Sequence, residues 1–235
     1  MILGILDADT LSDQLRPRYH SYTQMMINLF AEVPHSLQLK TYHVNAMQFP
    51  EKDEACDAYL ITGSKSACYE QEPWILRLGD FVQRAYQNRI PLIGICFGHQ
   101  LLAHHLGGHC GPAVQGWGLG VQQYQVSASA QKGLSLPAEI NLLASHYDQV
   151  QSLPTDAMVI AHNDFCPNAA CWVPGRLLSF QGHPEFTPAF ADALMQGRKQ
   201  IIPAKAFTEG QDTLNNPTQH LTITRCILDF VAQNC

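Results

Sequence analysis

An α/β fold in three layers, a mainly parallel central sheet flanked by helices, is predicted by three observations. Short apolar runs at 2–6, 58–62 and 90–95 have the length and content of buried strands. Segments with helical apolar spacing lie between them, so strand and helix alternate, and that alternation implies parallel strands with helices on both faces. The chain of 235 residues is 46% apolar, enough for a substantial core, and it reads as a single domain over 1–235.

Taken in order, the first strand ends at Asp7-Ala8-Asp9, acidic residues that read as a loop rather than a metal site. A helix over 22–30 carries Met25, Met26, Leu29 and Phe30 on one side, read as core, and stops before Pro34. A strand follows around 37–44, with imperfect alternation at Leu37, Leu39 and Tyr42. The strand over 58–62 runs into Gly63-Ser64, by itself a glycine turn. Residues 65–72 read as a loop over the strand ends, and Pro73 starts a helix that turns Trp74, Leu78, Phe81, Val82 and Ala85 to the sheet.

Later segments are strand-rich. Strands are expected at 121–128, 139–145, 157–162, 170–173 and 177–180, joined as hairpins by Gly, Pro and Asn turns. Thr187 and Pro188 supply an N-cap and first helical residue for a helix carrying Phe190, Leu194 and Met195. Asn216-Pro217 repeats that signal before an amphipathic terminal helix with Ile223, Ile227, Phe230 and Val231.

Composition narrows the function classes. Charged residues are 14% of the chain against a usual value of roughly 25%. Net charge is −6 and no basic stripe is longer than Arg198-Lys199, so neither nucleic acid nor a membrane is expected as partner. Eight cysteines contain no Cys-x-x-Cys pair, which speaks against zinc and a disulfide framework and for a reducing compartment. No leading segment has signal-peptide character and no apolar run approaches the roughly 18 residues of a span, so a cytoplasmic location is expected. His99, His104, His105 and His109 invite a metal, but Gly107-Gly108 separates His105 from His109 and no His-Glu-x-x-His occurs. No metal and no cofactor are expected.

The stretch that organises the chain is Arg89 to Gly108. Its apolar run stops at Cys96, and Leu101, Leu102 and His105 then recur at helical spacing, which puts Cys96 at a strand-to-helix corner. Gly94 and Gly98 flank it as Gly-x-Cys-x-Gly, the thiol counterpart of a nucleophile elbow. Side chains two residues either side of a strained tip would collide, and the turn aims the sulfur out of the sheet beside a helix N-terminus. It also presents the Phe97 N–H to a developing oxyanion. A cysteine that ends an apolar run is by itself a core thiol; a nucleophile needs a base. That base is available in Gln181-Gly182-His183-Pro184-Glu185, where a strand delivers His183 at its end and a carboxylate follows two residues later.

The motifs Gly94-Ile95-Cys96-Phe97-Gly98-His99-Gln100 and Gly182-His183-Pro184-Glu185, with Ile61-Thr62-Gly63-Ser64 upstream, resemble the class I (triad) glutamine amidotransferases. The resemblance covers about residues 1–195. It is closest to GMP-synthase-like amidotransferase domains and to stand-alone γ-glutamyl peptidases, whose branch is also resembled by Gly116-Trp117-Gly118-Leu119-Gly120 and Ser145-His146-Tyr147-Asp148-Gln149-Val150. It implies a flavodoxin-like core with Cys96, His183 and Glu185 as catalytic residues. It further implies backbone amides of Gly63, Ser64 and Phe97 as oxyanion hole, and Gln100 as a substrate contact. Residues 196–235 form a helical extension beyond it. His146 and Asp148 fit equally a substrate contact and a turn.

The implied chemistry is hydrolysis of a γ-glutamyl amide through a cysteine thioester, on glutamine or a γ-glutamyl peptide. Two enzyme forms stay open: delivery of ammonia to a separate synthetase subunit, since no Gly-x-x-x-x-Gly-Lys-Ser/Thr loop is present, or a stand-alone γ-glutamyl peptide hydrolase. A third class, a non-catalytic binding or regulatory module, would keep the fold without an activated Cys96.

Overall fold

The structure is a computed structural model that describes residues 1–235. The first half alternates strands and helices: β1 (Ile2–Asp7), α1 (Arg16–Tyr19), α2 (Tyr22–Ala31), β2 (Gln38–His43), β3 (Ala58–Ile61), α3 (Pro73–Gln87), β4 (Leu92–Ile95), α4 (Phe97–His105). The second half is strand-rich: β5 (His109–Pro112), β6 (Gly118–Val126), α5 (Ala128–Gly133), β7 (Glu139–His146), β8 (Asp148–Ser152), β9 (Met158–His162), β10 (Ala170–Val173), β11 (Leu177–Phe180). Three helices close the chain: α6 (Pro188–Gly197), α7 (Ala204–Thr213) and α8 (His220–Asn234).

Nine strands form one sheet in the order β2-β1-β3-β4-β11-β10-β9-β6-β7, and β5 pairs with β8 in a separate ribbon. The first five strands of that order are parallel, and from β11 to β7 each neighbour is antiparallel. The central strands β3 and β4 are buried at every position, as expected where helices cover both faces. Helices α2 and α8 contribute to the core on one face, with Met26, Phe30, Ile223 and Ile227; α3 and α4 contribute to the other, with Leu78, Phe81, Leu101 and Leu102. The α/β architecture read from the sequence is the one observed.

Local chemistry explains most helix starts. The Ser21 hydroxyl caps α2 by accepting from Gln24 N at 3.0 Å, and the Thr187 hydroxyl caps α6 by accepting from Phe190 N at 3.2 Å. Pro73 and Pro188 occupy first-turn positions where no amide is needed. Trp74 is only half-buried and packs on Phe97, with ring centroids 5.5 Å apart.

The Asn216-Pro217 signal does not start α8. That helix begins at His220 with no side-chain cap, because Gln219 is tied to β7: its N donates to Asn141 O at 2.9 Å, and its Oε1 accepts from Asn141 N at 2.5 Å. Packing sets this helix. Ile223, Ile227, Phe230 and Val231 are buried, each worth about 1.5–3 kcal/mol, against about 1 kcal/mol for a cap.

Residues 196–235 therefore pack on the sheet. Helix α7 lies against β6 where two glycines meet: a Cβ on Gly210 would be 2.8 Å from Leu119 Cβ, and one on Gly120 would run into Thr213 Oγ1 and the Gly210 carbonyl. Gly120 also has φ +69°. Gly120→Ala is expected to lower stability by about 2–4 kcal/mol, from left-handed strain and overpacking together, measurable by urea unfolding.

Candidate active site

Parallel crossovers place the ends of β1, β3, β4 and β11 on one edge, and the residues singled out in the sequence follow three of them. Cys96 follows β4, Gly63 and Ser64 follow β3, and His183 follows β11.

Cys96 has φ 52° and ψ −100°, a strained conformation for a residue with a Cβ, and it is nearly buried. Its flanking glycines leave room for this turn. A Cβ on Gly94 would be 2.6 Å from the Gly98 carbonyl, and one on Gly98 would run into the Ile61 carbonyl, so β3, β4 and the start of α4 touch backbone to backbone.

His183 is held from several sides. Its N donates to Leu143 O at 2.8 Å, which bridges the segment after β11 to β7. Its Nδ1 donates to Glu185 Oε1 at 2.8 Å. The ring stacks on Phe186 with centroids 3.7 Å apart and planes 10° apart, and a Cβ on Gly63 would be 2.9 Å from Cε1. With Nδ1 committed to Glu185, Nε2 is the ring nitrogen left without a partner in the protein. Burial pushes the imidazole pKa down, but the Glu185 carboxylate and negative charge at Cys96 outweigh it and raise the value to about 10.

The amide N–H groups of Gly63, Ser64 and Phe97 donate to no protein acceptor; Phe97 is the first residue of α4 and has no intrahelical partner. All three are thus unpaired donors after the C-terminal ends of β3 and β4.

Gln181 is a contact that the sequence analysis gave no task. Fully buried, its Nε2 donates to Cys96 Sγ at 3.5 Å and its Oε1 accepts from Gln100 Nε2 at 3.1 Å. Gln100 Nε2 also donates to Asp148 O at 2.8 Å, so both of its N–H bonds are spent within the protein. The only sequence signal for Gln181 was its place beside Gly182-His183.

His146 and Asp148 both border the site. The His146 Nδ1 donates to Asp148 O at 3.2 Å, a turn-stabilising bond, while burial pushes its pKa down to about 3. His99 is buried as a neutral strut: Nε2 donates to Asn168 O at 2.9 Å and Nδ1 accepts from Ser179 Oγ at 2.8 Å. Its pKa is pushed down by burial to about 4.

These residues open onto a cleft of about 370 Å³ that Cys96 and Gln100 share with Tyr69, Trp117, Ser145 and Arg198. The loop expected at 65–72 forms one wall, anchored where Asp9 Oδ2 accepts from Lys65 N at 3.0 Å and Asp9 Oδ1 pairs with Lys65 Nζ at 3.1 Å. No three His, Cys, Asp or Glu side chains are grouped to hold a metal, all eight cysteines are free thiols, and no helix is long and apolar enough to cross a membrane.

Comparison with known proteins gives four findings. The family model described as glutamine amidotransferase class-I matches residues 17–199. Gamma-glutamyl peptidase 5 of Arabidopsis thaliana is 29% identical, the match covering 73% of this chain and 70% of that protein. The glutamine-hydrolysing GMP synthase of Agathobacter rectalis is also 29% identical, over 70% of this chain but 30% of its own length. Among solved structures, a glutamine amidotransferase from Thermotoga maritima superposes with a TM-score of 0.76 at 18% identity, covering 98% of this chain and 97% of that one, a likeness of fold.

Protonated His183 is favoured by folding, so its contribution to stability is complete below the ordinary value of 6.5 and is lost as pH rises towards about 10. Glu185→Gln is expected to lower the folded-state pKa and flatten the fall in unfolding free energy across that window. Urea unfolding at several pH values, with imidazole titration by NMR, checks both.

Proposed function

The chain belongs to the glutamine amidotransferase class-I family, and from that premise we propose that it hydrolyses a γ-glutamyl amide through a thioester on Cys96. The observation that carries the reading is one connected line of groups. A thiol on a strained turn at the end of β4 lies within reach of the charge of a buried imidazole that follows β11, and that imidazole is held by a buried carboxylate.

In this reading the Cys96 sulfur attacks the γ-carbonyl carbon, and the carbonyl oxygen becomes an oxyanion received by the amides of Gly63, Ser64 and Phe97. His183, oriented by Glu185, protonates the departing nitrogen as the C–N bond breaks, and ammonia or an amine leaves. Water, deprotonated by His183, then attacks the thioester, releasing a glutamate carboxylate and restoring Cys96. Gln181 supports the sulfur as it gains charge. Gln100, with its amide protons already used, is left with its oxygen for a substrate contact.

The same active site serves two fates of the leaving group. In the amidotransferase form a separate synthetase subunit accepts the ammonia, a reading supported by relatives named as glutamine-hydrolysing GMP synthases. Hydrolysis of γ-glutamyl peptides is supported by relatives named gamma-glutamyl peptidases, matched over most of their length. A non-catalytic module is not favoured. A cytoplasmic location fits eight free thiols, and residues 1–235 act as one unit in this reading.

Glutamate release from glutamine and from a γ-glutamyl dipeptide, by wild type and by Cys96→Ala, tests it. Loss of release in the variant by at least about 10³-fold is expected, with His183→Ala close behind. The preferred substrate assigns the form, and undiminished release by Cys96→Ala sinks the proposal.

A further inference from the structure

The two buried glutamines beside Cys96 share one line of hydrogen bonds, and that line has a direction. It starts at the main-chain carbonyl of Asp148, the first residue of β8, which accepts from Gln100 Nε2 at 2.8 Å and from His146 Nδ1 at 3.2 Å. Gln100 Nε2 donates its other proton to Gln181 Oε1 at 3.1 Å, and Gln181 Nε2 donates to Cys96 Sγ at 3.5 Å. Gln100 is 4% exposed and Gln181 0%, so water hardly competes for either amide.

A carbonyl oxygen can only accept, and this sets the polarity of everything downstream. Were Gln100 turned over, its own oxygen would face the Asp148 oxygen across the same 2.8 Å, two acceptors with no proton between them. The Gln100 NH2 therefore stands towards Asp148, and its second N–H needs an acceptor at Gln181. Gln181 meets that need only with Oε1, which turns its NH2 to the sulfur. One backbone atom thus dictates the orientation of both amides.

Separate elements hold the line. Gln100 stands one helical turn into α4, where its N donates to Cys96 O at 3.0 Å, and Gln181 follows β11, its N donating to Ala169 O at 2.7 Å. Asp148 is held by the pairing of β8 with β5, opposite Pro112. A donor fixed in this way favours sulfur in its charged form, because a hydrogen bond to an ionised acceptor is about twice as strong as one to a neutral acceptor. The amide brings no net charge, so it supports the sulfur without disturbing the pair of His183 and Glu185.

We propose that Gln181 is a catalytic residue that holds the negative charge of the Cys96 sulfur, and that Gln100 is a positioning residue that keeps the Gln181 N–H aimed at it. The charge is the one the sulfur carries before it attacks the γ-carbonyl and regains as the thioester breaks. The β5–β8 ribbon thereby has a task in the site: it supplies the carbonyl from which the line starts. This inference rests on the reading of Cys96 as the nucleophile.

The test reads the sulfur directly, by the rate at which iodoacetamide alkylates Cys96 at neutral pH and by ultraviolet thiolate absorbance with Cys96→Ala subtracted. Wild type, Q181L, Q181M, Q100L and the double variant Q100L/Q181L are compared. Loss of the Gln181 donor is expected to slow alkylation roughly 10–100-fold and to remove most of the thiolate signal. Q100L is expected to slow it roughly 3–10-fold, since Gln181 is then free to turn over, and the double variant to be no slower than Q181L alone. Alkylation within about twofold of wild type in Q181L and Q181M overturns the proposal, and a double variant slower than Q181L by the whole Q100L factor overturns the positioning role. The Gln181 side-chain amide is also followed by NMR in wild type and Cys96→Ala. A shift on removal of the sulfur is expected, and an unmoved signal overturns the proposal even where a Gln181 variant fails to fold. Glutamate release is measured in parallel. Release by wild type with unchanged alkylation in Q181L leaves the hydrolase reading standing and this inference fallen; no release together with slowed alkylation does the reverse. Wild-type Cys96 that alkylates no faster than the other seven cysteines overturns both.

Discussion

The rest of the site depends on a single backbone turn. Cys96 occupies a positive-φ conformation that costs about 1–3 kcal/mol and persists only because its surroundings over-determine it. Cys96 N donates to Phe180 O at 2.8 Å and Gln100 N donates to Cys96 O at 3.0 Å, so β11 grips the residue from one side and α4 from the other. Gly94 and Gly98 remove the only atoms that would hold β3, β4 and α4 apart. Because those elements touch directly, the sulfur, the amides after β3 and the residues after β11 share one small volume.

Electrostatics then separates three buried histidines of the same neighbourhood. His99 and His146 meet carbonyls and a hydroxyl, and burial leaves them neutral. His183 meets a carboxylate and lies near Cys96, and together they reverse the sign of the outcome. Glu185 has its second oxygen buried without a partner, so its charge is compensated almost entirely through the imidazole. A neutral histidine at 183 would strand a carboxylate in a dry site, which is why the ionised pair is the stable arrangement.

Much of this was legible in the sequence, for reasons that can be named. Local chemistry announces itself locally: the apolar run ending at Cys96, its two flanking glycines, and the His183-x-Glu185 spacing all lie within a few residues. What stayed hidden was set by contacts distant along the chain. Gln181 reaches Cys96 across 85 positions, and Arg198 reaches Ser145 across 53. The β5–β8 ribbon was missed because its strands are short and not cleanly alternating, and the start of α8 was misread because packing and the Asn141–Gln219 bonds outweigh a cap signal.

His183 is not fixed by the strand that delivers it alone; its amide hangs on Leu143 of β7, the edge strand four places away from β11 in the sheet. Cys96 belongs to the buried parallel centre, while His183 leans on an antiparallel hairpin at the rim. Rims open more often than centres, in cooperative units with their own free energies. The juxtaposition of Cys96 and His183 thus lasts only as long as both units are closed, and a fraying of the β6–β7 hairpin would release the His183 amide while the strands around Cys96 stay paired.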